Sequence, residues 1–125
     1  VELGASVAAP PAAADLDGDG AADIVVMTGD GAFVRFDGDG TERWRTAFGK
    51  PAGGYKHVAL GDVHPEPGVE IVAGFDDGYL RCLSAEGAEL WRFCGAPFRV
   101  SPAAIGDVTG DGAADIVYGT DDGQV

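Results

Sequence analysis

The stretch that decides the fold is Asp15-Leu16-Asp17-Gly18-Asp19-Gly20-Ala21-Ala22-Asp23-Ile24-Val25-Val26. Its acidic side chains stand at positions 1, 3, 5 and 9 of a nine-residue loop, with glycines between them, and an apolar β-branched run follows. Calcium binds six to eight oxygen atoms at about 2.3–2.6 Å, supplied by carboxylates, carbonyls and water. Alternate side chains of a tightly curled loop converge on one point, and the glycines permit the backbone angles that curling needs. The stretch therefore predicts a cation-binding loop that leads into a β-strand.

This loop pattern is repeated along the chain. Asp15, Asp62 and Asp107 begin successive copies, 47 and 45 residues apart. The last copy retains most of the acids, whereas the middle copy is degenerate. Each copy keeps a final acid eight residues after its first, at Asp23, Glu70 and Asp115. One structural unit is therefore repeated over the whole chain.

Each period contains four short apolar or alternating runs joined by turn sequences. No run shows a sustained 3.6-residue period, and Gly or Pro interrupts every candidate helix. In the second period the predicted strands are His57–Asp62, Glu70–Gly74, Tyr79–Ser84 and Ala88–Phe93. Four antiparallel strands per period are typical of a β-propeller blade, so we predict an all-β fold of about 2.7 four-stranded blades.

The predicted blades are out of phase with the ends of the chain. Blade 1 covers 11–48, blade 2 covers 57–94, and 101–125 form an incomplete blade 3, while 1–4 form an outer strand that completes a blade. Propellers typically need four to eight blades, and an open strand edge promotes aggregation. We therefore expect a homo-oligomer formed by strand completion between chains, or completion within a longer parent chain. Identical head-to-tail contacts give a closed ring or an open filament, and two chains forming six blades is the simplest ring.

The composition argues against two classes of partner. Eight basic against 21 acidic residues give a net charge of −13, which disfavours binding to nucleic acid or to an anionic membrane surface. No apolar run reaches the ~18 residues of a membrane span. Neither an initiator Met nor a signal-peptide pattern stands at Val1, which suggests an excised or processed piece.

The loops also resemble a known family. The pattern Asp-x-Asp-x-Asp-Gly-x-x-Asp-Ile-Val spans Asp15–Val25 and, with Thr109 in place of the second Asp, Asp107–Val117. It is similar to the FG-GAP (VCBS-type) repeats of integrin α-subunit propellers and their bacterial relatives. The stretches Gly40–Arg45 and Gly87–Arg92 resemble the tryptophan-bearing outer strands of quinoprotein-like propellers. The resemblance covers essentially the whole chain.

The resemblance implies two calcium sites. In the first loop the implied ligands are Asp15, Asp17, Asp19, Asp23 and the carbonyl of Ala21. In the last loop they are Asp107, Thr109, Asp111, Asp115 and the carbonyl of Ala113. Thr109 replaces an acid, so the last site is expected to bind calcium more weakly than the first.

The middle loop departs most from the family pattern, because Pro65 and Pro67 stiffen its turn. Its candidate ligands are Asp62, His64, Glu66 and Glu70. Either a third calcium ion or hydrogen bonds hold this loop.

Other cation loops fit the sequence less well. An EF-hand or a dockerin loop needs flanking helices and an acid at position 12, where this chain has Val26 and Tyr118 in strand-like runs. The stretch Asp37–Gly40 has the acids of a further cation loop. Its repeat counterpart is Ser84–Gly87, however, which favours a hairpin turn.

The remaining chemistry-bearing residues indicate packing more than catalysis. His57, His64 and three serines stand at unrelated repeat positions, without a Gly-x-Ser-x-Gly elbow, a zinc cluster or a phosphate loop. Trp44 and Trp91 recur at one repeat position, which favours packing between blades over stacking on a sugar.

The two cysteines are predicted to lie apart on one hairpin. A turn at Glu86-Gly87 places Cys82 opposite Leu90 or Trp91, roughly 10 Å from Cys94, which disfavours a direct disulfide. Packed thiols are therefore expected, with a disulfide as the alternative.

Together these patterns predict a calcium-stabilised β-propeller module that serves as a structural or adhesive scaffold and is not an enzyme. Secretion or a cell-surface location follows from the calcium supply, since sites with a Kd of ~10⁻⁴–10⁻³ M fill only outside cells. Two alternatives stay open. The chain is a fragment of a propeller enzyme, such as a polysaccharide lyase or quinoprotein-like dehydrogenase, or a lectin-like ring that binds a glycan or a protein.

Overall fold

The repeated apolar runs form ten β-strands in the residues that the structure describes, which are 1–48, 57–75, 77–94, 101, 103–120 and 123–125. The structure is a computed structural model of the chain. The strands form three antiparallel sheets without a helix in the described part, so the predicted all-β class is confirmed. These residues accordingly contain no helix that could span a membrane.

The strands follow the predicted periods. The first sheet consists, in order, of β1 (Ala12–Ala14), β2 (Asp23–Met27), β3 (Ala32–Phe36) and β4 (Glu42–Ala47). The second sheet has the same order, with β5 (Val58–Gly61), β6 (Glu70–Gly74), β7 (Tyr79–Leu83) and β8 (Glu89–Cys94). The third sheet contains β9 (Ala104–Gly106) and β10 (Asp115–Val117). The four strands predicted in the second period are confirmed, each to within one residue at either end.

The two four-stranded sheets share an irregularity as well as an order. The pairing of the third and fourth strands shifts register between Arg35 and Phe36 in the first sheet. The same shift falls between Cys82 and Leu83 in the second sheet, at the equivalent repeat position. A β-bulge changes the direction of the outer strand, so the bulge is part of the repeated unit.

The sheets stack face to face in chain order. One face of the first sheet, with Val25 and Phe33, packs against the face of the second sheet that carries Ile71 and Ala73. The opposite face of the second sheet, with Val72, packs against the third sheet. Removal of this apolar surface from water is the main favourable term in such packing, and it fixes the loops at the sheet edges relative to one another.

The tryptophans lie between successive sheets, so packing between repeats is confirmed. The indole N–H of Trp44 donates a 2.7 Å hydrogen bond to the carbonyl of Ala85 in the second sheet. Its ring covers Gly87, where an added Cβ would lie 2.8 Å from the indole. Trp91 packs against the cluster between the second and third sheets.

Residues 1–4, predicted as an outer strand, form no strand in the structure. Leu3 packs instead against Val26, Val34 and Phe36 on the outer face of the first sheet. A strand requires a neighbouring edge with which to exchange hydrogen bonds, and in the described part of the chain these residues pair with none. Completion of a blade by this segment stays a prediction.

The cysteines lie where the hairpin register predicts. Cys82 is opposite Trp91, and Cys94 is opposite Tyr79, three positions away along the strand. No disulfide joins the two cysteines. Burial, with a smaller contribution from the charge of Glu70, raises the pKa of the Cys82 thiol to about 12, so this thiol is a packed, protonated group.

Candidate metal centre

The first loop, between β1 and β2, curls because two of its glycines adopt a left-handed backbone. Gly18 has a φ of +78° and Gly20 a φ of +88°, and side chains with a Cβ rarely adopt such angles. The curl turns both amide N–H groups toward Asp15, whose carboxylate accepts them at 2.7 and 3.0 Å. The first acid therefore organises the backbone of the loop.

Three carboxylates converge on the open side of this curl. Asp15, Asp17 and Asp19 each contribute one oxygen, and these oxygens lie within 4.8 Å of one another. Ligand oxygens that surround calcium at 2.3–2.6 Å lie at most about 5 Å apart. All three side chains are exposed, which leaves room for water ligands, and the amide of Ala21 donates to Asp19 at 2.7 Å. The donor chemistry and spacing fit a hard divalent cation.

Asp23, the fourth predicted acid of the first loop, lies at its base and is buried. Its Oδ2 accepts hydrogen bonds from the amide of Leu16 and from the guanidinium of Arg35, both at 2.9 Å. The structure does not bring Asp23 into the group formed by the first three acids. This carboxylate therefore has hydrogen-bond partners within the chain.

Two residues that the sequence analysis did not assign, Arg35 and Asp37, complete the base of the site. An oxygen of Asp37 lies within 4.8 Å of oxygens of Asp17 and Asp23, although Asp37 belongs to the predicted hairpin turn. That turn is confirmed by a hydrogen bond from the amide of Gly40 to the carbonyl of Asp37 at 2.8 Å. The sequence signal for Arg35 is a basic residue inside an apolar strand, which indicates a buried ion pair.

Arg35 neutralises part of the acidic cluster. The residue is 4% exposed, and its Nη2 lies 2.6 Å from Asp17 Oδ2. The hydrogen bond from Arg35 holds the pKa of Asp17 below its usual value. Burial opposes the charge on Arg35, but the hydrogen bonds to Asp17 and Asp23 outweigh burial and raise its pKa.

The last loop, between β9 and β10, repeats the curl of the first. Gly110 has a φ of +78° and Gly112 a φ of +88°, the same values as their counterparts. Both amides again point to the first acid, Asp107, whose carboxylate accepts them at 2.6 and 3.0 Å. The two loops therefore share one backbone conformation.

The curl of the last loop contains one acid fewer than that of the first. Asp115 accepts hydrogen bonds from the amides of Thr109 and Val108, both at 2.9 Å, and these bonds lower its pKa. The amide of Ala113 donates to Asp111 at 2.9 Å. No three acids of this loop, which the structure describes in full, have oxygens within 4.8 Å of one another, because Thr109 replaces the third-position acid.

The middle loop, between β5 and β6, cannot adopt the curl. Pro65 and Pro67 stand where the other loops have left-handed glycines, and proline fixes φ near −65° and has no N–H group. The first acid of this loop, Asp62, therefore lacks those two donors. The amide of Glu66 donates instead to His64 Nδ1 at 3.4 Å. The described residues of this loop do not bring three ligand atoms within 4.8 Å of one another, as a metal site would require.

One hydrogen bond is common to all three loops. The carboxylate of the final acid accepts a hydrogen bond from the amide of the second loop residue, at 2.8–2.9 Å. The pairs are Asp23 with Leu16, Glu70 with Val63 and Asp115 with Val108. Because the middle loop keeps this bond without the curl, the final acid closes each loop independently of the glycine curl. The retention of Glu70 in the degenerate copy was the sequence signal for this role.

Clefts separate the loops along this edge of the molecule. A cleft of about 270 Å³ between the first and middle loops is lined in part by Asp17, His64 and Glu86. A cleft of about 540 Å³ between the middle and last loops is lined in part by Asp62 and Ala113. Asp17, Glu66, Glu70 and Glu86 line the smaller cleft, and such a group of acids attracts cations.

In comparisons with known proteins, no family model and no curated protein matches the chain.

Proposed function

We propose that this chain is a calcium-stabilised β-propeller module of FG-GAP-like repeats that serves outside the cell as a structural or adhesive scaffold. The observation that carries the proposal is the convergence of Asp15, Asp17 and Asp19 on the curled first loop, with oxygens within 4.8 Å of one another. Carboxylates at this spacing repel one another, and a hard cation relieves the repulsion. Calcium would thereby hold the connection between the first two strands of the sheet.

The arrangement of the sheets supports the propeller proposal. The first strands of successive sheets are neighbours, β1 beside β5 and β5 beside β9, whereas the fourth strands β4 and β8 do not contact each other. Sheets that meet at their first strands and separate toward their fourth fan out around an axis, as propeller blades do.

The third sheet supports a proposal of strand completion by a second copy of the chain. In the described residues this sheet has two strands, and β10 pairs with β9 on one side only. A ring or a filament would cover that edge. Sedimentation equilibrium in calcium should give the mass of two or more chains, and a monomer at the highest soluble concentration would contradict completion between chains.

An extracellular location follows from the proposed calcium affinity. Extracellular calcium-binding modules have Kd values of about 10⁻⁴–10⁻³ M, and we place the first-loop site, whose three acids are exposed, in this range. Calcium held in this way stabilises the fold and takes no part in a reaction, which is the basis for proposing a scaffold over a catalyst.

Thermal unfolding in calcium and in chelator tests the proposal. A cation that binds the folded chain at about 100 times its Kd adds about 2.7 kcal/mol of stability, or a rise in Tm of about 10 °C for a domain of this size. We expect Asp19→Ala with Asp111→Ala, which removes one acid from each curled loop, to abolish most of that rise.

The matched control is Asp39→Ala. The carboxylate of Asp39 accepts a 2.8 Å hydrogen bond from the amide of Thr41, the same short turn that Asp19 makes with Ala21, but outside the loops. The control variant should keep the full calcium response. A wild-type Tm that is the same in calcium and in chelator would overturn the calcium proposal.

A further inference from the structure

The first loop already contains a positive charge of its own. Arg35 in β3 is 4% exposed, and its Nη2 lies 2.6 Å from Asp17 Oδ2 and 2.9 Å from Asp23 Oδ2. Its Nη1 donates a 3.3 Å hydrogen bond to the carbonyl of Ala85 in the second sheet. The guanidinium therefore joins two acids of the first loop to the neighbouring sheet.

The second repeat does not keep this arginine. The equivalent position in β7 is Cys82, opposite Val72 just as Arg35 is opposite Val25. Among the described residues, no arginine or lysine pairs with an acid of the last loop. The two curled loops thus share a backbone conformation and differ in their resident charge.

We infer that Arg35 is the resident cation of the first loop and competes with calcium for Asp17 and Asp23, an inference that rests on the proposed function. The guanidinium uses one lone pair of Asp17 Oδ2 at 2.6 Å, and its positive charge repels a calcium ion bound to the same carboxylate. Calcium at Asp17 must therefore overcome this repulsion or weaken the pairing of Arg35 with Asp17.

Two consequences follow from this competition. The first loop binds calcium more weakly than its number of carboxylates suggests, which reduces the advantage over the last loop that its additional acid implies. Calcium in the first loop also weakens the pairing of Arg35 with its acids. Because Arg35 and Trp44 donate to the same carbonyl, that of Ala85, the environment of Trp44 should respond.

Calorimetric titration of calcium into two arginine variants tests the competition. The first loop is isolated by Asp111→Ala, which weakens the last. We expect Arg35→Met in this background to raise the calcium affinity of the first loop by about tenfold or more, because one positive charge leaves the site. Arg35→Lys keeps the positive charge but lacks the planar guanidinium that contacts both Asp17 and Asp23, so it should give an intermediate affinity. It also provides a test if Arg35→Met does not fold.

Arg81→Met is the matched control. Arg81 is 6% exposed, has a buried Nε without a hydrogen-bond partner as Arg35 has, and pairs with Asp77 and Glu89, which lie outside the loops. This variant should leave calcium affinity unchanged. A second readout is the fluorescence of Trp44 in a Trp91→Phe chain, which should change on calcium binding when Arg35 is present and stay constant in Arg35→Met.

The outcomes separate this inference from the proposed function. If Arg35→Lys and Arg35→Met both bind calcium with the affinity of the chain that retains Arg35, the competition is overturned and the calcium site stands. If no variant and no loop binds calcium, the proposed function fails and the inference fails with it. An affinity gain in Arg81→Met equal to that in Arg35→Met would also overturn the inference, because it would trace the gain to net charge alone.

Discussion

At the scale of the residue, two buried arginines, Arg35 and Arg81, each pair with two acids. Arg35 pairs with acids of the first loop, and Arg81 pairs with Asp77 while its guanidinium lies 4.4 Å from the centre of the Phe75 ring. A buried charge is stable only when it is paired and hydrogen-bonded. Each arginine therefore fixes the positions of the carboxylates with which it pairs.

The pair formed by Asp77 and Arg81 should weaken in acid. Partial burial opposes ionisation of Asp77, but hydrogen bonds from Arg81, one of them 2.6 Å long, outweigh burial and hold the pKa of Asp77 below its usual 3.8. A carboxyl with a lowered folded pKa contributes stability above its unfolded pKa and loses it as the pH falls through the folded pKa.

We therefore expect the Tm of the wild-type chain to exceed that of Asp77→Asn near neutral pH, with a gap that closes as the pH falls below 3.8. Thermal melts of both chains across the acid range measure this gap. A gap of constant size at every pH would show that the substitution acts through packing and not through the charge.

At the scale of the element, the strands and curled loops could be predicted because they depend on local sequence. The alternation of apolar and polar residues predicted the strands of the second period to within one residue. The spacing of the glycines predicted the curl of the first and last loops. The ion pair of Arg35 could not be predicted in this way. The alternation of apolar and polar residues assigns each residue to one face of its sheet, but it does not identify a partner when both faces are buried. The partners of Arg35 come from the first loop and from the neighbouring sheet, which are distant in sequence or belong to another repeat.

The curl of the first loop should depend on glycine at position 20. A Cβ at Gly20 meets no atom within 4 Å, so the effect of Gly20→Ala comes from its φ of +88° alone. Such a backbone costs a residue with a Cβ about 1–2 kcal/mol. We expect the free energy of unfolding, measured in urea, to fall by that amount.

Gly106→Ala is the control for this substitution. A Cβ at Gly106 likewise meets no atom within 4 Å, but Gly106 has no positive φ and lies in β9. Its free energy of unfolding should change by less than about 0.5 kcal/mol. Equal losses in the two variants would contradict the left-handed curl of the loop.

At the scale of the whole molecule, each sheet packs on the next through an apolar interface, and the interface between the first and second sheets also contains hydrogen bonds from Trp44 and Arg35. The repeat period predicted that tryptophans would pack between units, because they recur at one position. It could not show that the turn of the second sheet supplies the acceptor, since the placement of one sheet on the next depends on all the side chains between them. The carbonyl of Ala85 receives both Trp44 and Arg35, and so links the loop and the outer strand of the first sheet to the second.

Replacement of the two tryptophans should therefore have unequal effects. Trp44→Phe removes the 2.7 Å hydrogen bond to Ala85 and uncovers Gly87, and we expect a loss of about 1–2 kcal/mol in the free energy of unfolding. Trp91 stands at the same repeat position but makes no indole hydrogen bond within the described part of the chain, so Trp91→Phe should cost less. Urea unfolding of both variants, with equal slopes, measures the difference. Equal losses would mean that apolar packing alone orients the first sheet on the second, and the shared carbonyl would then have no part in setting that orientation.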